Sequence, residues 1–286
     1  MQSAQRAGRL ICLCDLCYSL ASFAVRSILC KFQMLFELHL HPVHREMDNT
    51  QPKISKDKEL IAPMFDSIAW RYDFLNHLLS LGIDRLWRKR AIAMIPQDFR
   101  EPRIIDVATG TGDFAIAAMK VHPCKVCGID ISEKMLELGR RKVIDKGLDR
   151  TISFINCESE NICLEDNSFD IALSAFGVRN FSDPVKGLSE MNRVLRHGGM
   201  IIILEFSKPV ASPFRQIYSF YFRNILPLAG RLFSRDRKAY RYLNESVMEF
   251  PEGEEFIGLM TEAGFVKSTQ TSVSWGIASI YSGFKE

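Results

Sequence analysis

From residue 103 to residue 206 the chain alternates short runs of β-branched and aliphatic residues with stretches of helical spacing, and this alternation constrains the architecture more than any other feature. Strands separated by helices do not pair as hairpins. They form βαβ units, whose crossovers lay helices on both faces of a largely parallel sheet. The strand candidates are 103–107, 125–130, 152–156, 170–175 and 200–206. Helices fit at 113–121, at 133–146 with Ser132 as N-cap and Gly147 just past the end, and at 184–196 with Gly198 and Gly199 as the stop. A helix at about 252–263 then leads to two more strands, 265–272 and 277–284.

This pattern divides the chain. Residues 103–286 form the sheet domain, with an insertion at about 208–250. Residues 47–102 read as a helical cap, because Leu60, Ile61, Met64, Phe65 and Ile68 recur at helical spacing, with Pro63 limiting its regularity. The insertion mixes aromatic and aliphatic residues with Arg215, Arg223 and Arg231. Two readings fit it: a lid that covers an apolar tail and touches anionic lipid, or ordinary helix core with solvated arginines. A helix is expected within it at 240–250.

Residues 1–46 are an extension. Their apolar stretch is broken by Asp15, Arg26, Lys31 and Glu37, whereas a spanning helix needs about 20 mostly apolar residues. The segment reads as sequence upstream of a later initiator, Met34 or Met47; an amphipathic membrane-associating extension is the alternative.

A net charge of +3 over 286 residues is far from the basic density of a nucleic-acid binder. Cys124 and Cys127 make a C-x-x-C inside a strand-like run with no second pair at zinc spacing. The cysteines of the sheet domain are therefore expected as buried or half-buried thiols in a reducing cytosol, and no metal is expected.

The chemistry concentrates where the first strand ends. Ile104-Ile105-Asp106-Val107-Ala108-Thr109-Gly110-Thr111-Gly112-Asp113 runs from a hydrophobic strand into a glycine-bearing turn and then a helix, a turn that lets backbone approach a nucleotide-like ligand. Asp130, 18 positions after Gly112 and at the end of the second strand, is suited to accept from both ribose hydroxyls. A dinucleotide-dependent oxidoreductase is one reading of this pairing, since Ala115 is tolerated at the third position of the dinucleotide pattern. Asp106 and Asp113 favour another, because carboxylates repel a pyrophosphate and suit the ammonium and sulfonium of S-adenosylmethionine.

Beyond this loop, the chain resembles the UbiE-like ubiquinone/menaquinone biosynthesis C-methyltransferase family over roughly residues 56–285. Two signatures carry the resemblance. One runs from Tyr72-Asp73-Phe74-Leu75-Asn76-His77 through Gly82-Ile83-Asp84-Arg85-Leu86-Trp87; the other is Arg193-Val194-Leu195-Arg196-His197-Gly198-Gly199-Met200 through Leu204-Glu205-Phe206-Ser207. Departures are Leu75 for the usual methionine, Asp84 where histidine is common, and Arg196-His197 in place of Lys-Pro.

The resemblance implies a class I S-adenosylmethionine-dependent methyltransferase: a Rossmann-like, seven-stranded mixed sheet with helices on both faces and the last strand antiparallel. It implies donor contacts at Gly110, Thr111, Gly112, Asp106, Asp130, Glu158 and Ser159. Ala175 stands where some members carry a serine. The segment Phe176-Gly177-Val178-Arg179-Asn180 matches a family motif on the acceptor side.

Arg179 stays protonated at any relevant pH, so it is read as a phenolate stabiliser, with Asn180, Tyr72 and Asp113 positioning the acceptor. An ion pair with Asp183 is the structural alternative for Arg179, and a packed core ring for Tyr72. Glu205 is read either as orienting substrate or as a structural partner. The acceptor the family implies is a lipid-tailed quinol, demethylmenaquinol rather than the benzoquinol precursor of ubiquinone. The implied location is the cytoplasm, with peripheral contact at the inner membrane face.

Overall fold

The computed structural model describes residues 61–67, 69, 80, 82–119, 124–209, 216, 242 and 245–286, all within the unit Lys53–Glu286. The extension at 1–46 and most of the insertion lie outside them. The elements, in chain order, are α1 (Asp84–Ile92), β1 (Arg103–Val107), α2 (Asp113–Met119), β2 (Lys125–Asp130), α3 (Glu133–Asp145), β3 (Ile152–Asn156), β4 (Phe169–Ala175), α4 (Pro184–Val194), β5 (Leu195–Phe206), α5 (Glu254–Glu262), β6 (Phe265–Val273) and β7 (Ala278–Lys285). Residues 61–67 of the expected cap are also helical.

The sheet order is β3-β2-β1-β4-β5-β7-β6. Strands β1 to β5 pair in parallel, and β7 lies antiparallel between β5 and β6. This is the mixed seven-stranded sheet that the resemblance implies, with the last strand antiparallel. The chain reverses direction across the sheet between β1 and β4, which leaves a crevice at the carboxyl ends of those two strands.

Both faces are covered, and the sequence shows why. Neighbouring residues on β1 point to opposite sides, yet Ile104 and Ile105 are both fully buried, one in each of two hydrophobic clusters. The first cluster draws Trp87 and Ala91 from α1 and Phe114, Ala115 and Ala118 from α2. The second draws Leu188 and Met191 from α4 and Phe256 and Met260 from α5.

Helix starts follow local chemistry. Ser132 Oγ accepts from the Met135 amide at 3.3 Å, and Asp183 Oδ1 accepts from the Lys186 amide at 3.0 Å with Pro184 beginning the first turn.

One boundary differs from the sequence reading. Helix α4 stops at Val194, and β5 begins at once with Leu195, which pairs with Phe169, before an irregularity reaches the regular register at Met200. Gly198 (φ +75°) thus bends the early part of the strand instead of ending a helix. The free cysteines also need one correction: Cys124 and Cys157 are buried and Cys127 is half-buried, but Cys163 is exposed. Among the described residues, no helix is long and apolar enough to cross a membrane.

Candidate active site

The crevice is a cleft with an open volume of about 550 Å³. Ala108, Gly110 and Asp130 line it from β1 and β2, while Phe176, Gly177, Asn180 and Phe181 line it from the turn after β4. Ile61 and Phe65, from the helical stretch before α1, complete an apolar wall.

The backbone is strained at this point. Ala108 (φ +54°) and Phe176 (φ +60°), non-glycine residues just past β1 and β4, both sit in the left-handed region, where such residues are rare. Between them, a Cβ on Gly177 would lie 2.6 Å from Ala108 Cβ and 2.8 Å from Ser174 Oγ. The two turns approach so closely that only a hydrogen fits.

Asp130 is the best-organised carboxylate of the cleft. The Gly110 amide donates to its Oδ2 at 2.8 Å and the Ser132 amide to its Oδ1 at 2.9 Å. Two backbone donors fix its plane, and each oxygen keeps a further lone pair for a ligand. Burial pushes its pKa up, and the backbone amides of Ser132, Gly110 and Ile131 oppose that shift. Ser132 Oγ in turn donates to Asp66 Oδ1 at 2.5 Å, a contact that sequence reasoning missed.

Asp106, 1% exposed, accepts from Thr109 Oγ1 at 2.6 Å and from the Ala115 amide at 3.1 Å, both on Oδ2. Its Oδ1 is buried without a hydrogen-bond partner. Desolvation raises its pKa to about 7, against the pull of those two donors and of the Arg88 charge. Asp106 does not itself line the cleft, but an unpartnered buried acceptor two residues before Ala108 of that lining is an opening for a cationic ligand group.

Three other residues assigned from the sequence likewise do not line the cleft. Lys142 of α3 donates to Thr111 Oγ1 at 2.8 Å and to Asp113 Oδ1 at 2.7 Å, and neither residue lines the cleft. Gly112 (φ +80°) is required by packing: a Cβ there would meet the Phe154 ring at 2.6 Å. Of the loop glycines, Gly110 is the one that reaches the cleft.

After β3, Ser159 lines the cleft, with half-buried Glu158 beside it in a bridge to Asn161. Cys157 also lines it, and burial pushes its thiol up to about 11, so it stands there as a neutral thiol.

Arg179 is 2% exposed, and its ion-pair partner is Glu205, not Asp183. Arg179 Nη1 donates to Glu205 Oε2 at 2.9 Å and the Arg179 amide to Glu205 Oε1 at 3.2 Å. Asp183 is occupied as the N-cap of α4. The pairing follows from the parallel register, which sets Ala175 of β4 beside Leu204 of β5 and so brings the turn after β4 next to Glu205. The guanidinium lies over Phe206 (5.6 Å) and Phe176 (5.9 Å), whose rings stack with centroids 4.5 Å apart, and its Nε is buried without a hydrogen-bond partner.

From the other side Arg88, paired with buried Asp84, lies 5.5 Å over Phe176. Trp87 packs edge-on against both rings and donates from Nε1 to Ser274 Oγ at 2.8 Å.

Asn180 lines the cleft and receives a second contact absent from the sequence reading. Its Nδ2 donates to the Phe176 carbonyl at 3.3 Å, and Tyr242 Oη donates to its Oδ1 at 3.1 Å. Tyr72 lies outside the described residues.

Residues 53–285 match the model of the ubiE/COQ5 methyltransferase family. The chain is 44% identical over 231 residues to a demethylmenaquinone methyltransferase of Bacteroides fragilis, covering 80% of this chain and 94% of that protein. It is 47% identical over 234 residues to the ubiquinone/menaquinone biosynthesis C-methyltransferase UbiE of Geobacter sp. (strain M21), covering 81% of this chain and 99% of that one. Among solved structures, an S-adenosylmethionine-dependent methyltransferase from Thermotoga maritima shares the fold, with a TM-score of 0.56 at 22% identity, over 79% of this chain and 100% of that chain.

Proposed function

Because the chain belongs to the ubiE/COQ5 methyltransferase family, we propose that it transfers the methyl group of S-adenosylmethionine to a ring carbon of demethylmenaquinol, giving menaquinol. The observation that carries the reading is the Asp130 carboxylate, fixed by two amides at the end of β2 in the same cleft as Asn180. S-adenosylmethionine, the co-substrate, supplies a methyl group activated by a positive sulfur.

The chain's own residues fit that molecule. Asp130 has acceptor capacity for both ribose hydroxyls, and the unpartnered Oδ1 of Asp106 suits the ammonium of the amino-acid end. Ser159 lines the cleft with Glu158 next to it in the chain, and this pair is assigned to the adenine base. In this reading Thr111, Gly112 and Asp113 shape the donor loop from behind, through Lys142 and Phe154, and do not touch the ligand.

On the acceptor side, Ile61, Phe65, Phe176 and Phe181 offer apolar contact to a fused ring. Ring-carbon attack needs electron density that a phenolate supplies best. The spare Nε–H of the Arg179 guanidinium favours that anion; Asn180 holds the hydroxyl in place. Holding ring carbon, methyl and sulfur in line then lowers the barrier by proximity. A polyprenyl tail partitions into lipid, so the same reading puts the enzyme in the cytoplasm against the inner membrane face.

The test is transfer of labelled methyl from S-adenosylmethionine to demethylmenaquinol, beside the benzoquinol precursor of ubiquinone. The benzoquinol is the second reading, supported by the double name of the Geobacter relative. Labelled menaquinol is the expected product. Asp130→Ala is expected to weaken adenosylhomocysteine binding by about 100-fold, the loss of two charge-assisted hydrogen bonds. A folded wild-type protein that transfers no label to either quinol would end the proposal.

A further inference from the structure

Asn180 borders the cleft through a carboxamide, and a carboxamide presents different chemistry depending on which way it is turned. The Phe176 carbonyl can only accept, so the group 3.3 Å from it must be the Nδ2 amide of Asn180. That turns Oδ1 toward Tyr242, whose hydroxyl lies 3.1 Å away and must therefore donate. The phenol keeps the proton this role needs: burial pushes Tyr242 up to about 12, so the hydroxyl can donate throughout the working range. The nearby Arg179 charge opposes that shift, and Glu249 and Glu205 reinforce it.

With both ends held, Asn180 retains one N–H and one lone pair. A substrate oxygen that gives up its proton during the reaction needs a donor and not an acceptor. The carboxamide orientation therefore decides whether Asn180 helps or opposes formation of the acceptor anion. The contact to Phe176 is the longer of the two anchors, and it comes from the same turn as Asn180. Tyr242, 62 residues further along the chain, is the anchor that ties the orientation to another part of the fold.

We propose that Tyr242 is a positioning residue for methyl transfer, fixing the Asn180 carboxamide so that its free N–H faces the oxygen of the acceptor. The inference rests on the reading of this cleft as the methyl-transfer site. Tyr242 acts through Asn180, so its effect falls on the acceptor and not on the donor, which Asp130 holds elsewhere in the cleft.

The test is a double-mutant cycle with Tyr242→Phe, which removes one oxygen, and Asn180→Ala, assayed with a short-chain demethylmenaquinol and by calorimetry with adenosylhomocysteine. In the wild-type background, Tyr242→Phe is expected to lower kcat/KM for the quinol about tenfold, the usual scale of one hydrogen bond, with adenosylhomocysteine affinity unchanged within about twofold. In the Asn180→Ala background the same change is expected to cost almost nothing, because the group it orients is gone. Asn180→Asp is a second variant that leaves Tyr242 intact: the tyrosine still has an acceptor, but the N–H is lost and a negative charge faces the acceptor anion, so quinol turnover falls while donor affinity holds.

Equal losses in both backgrounds, no loss in either, or a matching loss of donor affinity would overturn the role of Tyr242. Wild-type protein without affinity for adenosylhomocysteine would instead overturn the reading of the cleft itself.

Discussion

Replacing Glu205 with leucine removes the only carboxylate that, among the described residues, is paired with the Arg179 guanidinium, itself 2% exposed. At 2.9 Å and an effective dielectric constant near 20, the gross attraction between such charges is about 6 kcal/mol, most of it cancelled in the native protein by the desolvation of both groups. Taking away one partner forfeits the attraction and leaves the other charge buried. The cost for Glu205→Leu is therefore about 3–5 kcal/mol. For a unit of about 230 residues this lowers Tm by roughly 6–20 °C.

Removing both charges behaves differently. The double variant Arg179→Met with Glu205→Leu buries no orphan ion, and is expected to melt within about 1 kcal/mol of wild type while losing quinol methylation. Scanning calorimetry on the three proteins, with turnover measured beside it, checks both halves. The reasoning fails if Glu205→Leu melts with wild type, or if the double variant is as unstable as the single one.

Three further outcomes are expected. Asp106, raised in the folded state from 3.8 to about 7, gives stability that is fully present below about pH 4 and is lost as pH rises to 7; Asp106→Asn should remove that slope from urea-unfolding data, and an unchanged slope would contradict the assignment. By the same titration, adenosylhomocysteine should bind more tightly as pH rises from 6 to 8, because its ammonium pairs with the ionised form, and calorimetry of Asp106→Asn should show this gain abolished. Gly177→Ala would drive a methyl into Ala108 Cβ and Ser174 Oγ, for an overpacking cost of about 1–3 kcal/mol; a thermal midpoint equal to wild type would show that the turns separate freely.

The strands of the parallel half were legible because a buried parallel strand is a run of apolar residues with no competing signal. The limits of β1, β2 and β3 coincide with the expected ones. The place of Asp130 in the cleft was legible for a related reason, since it depends only on standing at the end of a strand after a glycine turn.

Contacts set by register between distant segments were not legible. Nothing in the spacing of Arg179 and Glu205 singles out Glu205 over Asp183, four residues from Arg179; the choice is made by where β4 and β5 align. Lys142 takes Thr111 and Asp113 because of the face α3 turns to the loop, and that face is decided by how Gly139 packs on Phe154 and on Thr111. Tyr242 could not have been singled out, because its partner is 62 residues away and an aromatic stretch offers many rings.

Strand β7 is translated after every other strand yet occupies an interior position, hydrogen-bonded on one side to β5 and on the other to β6. A nascent chain that has produced everything up to residue 277 therefore owns a half-built sheet: β5 shows a naked edge, and β6 has nothing to pair with. Closure must wait until Ala278–Lys285 leaves the ribosome and pairs with both neighbours, a long-range step of the slow, aggregation-exposed kind. Nonsense changes or proteolytic clipping within Ala278–Lys285 should accordingly act as loss-of-folding lesions, despite their distance from the cleft.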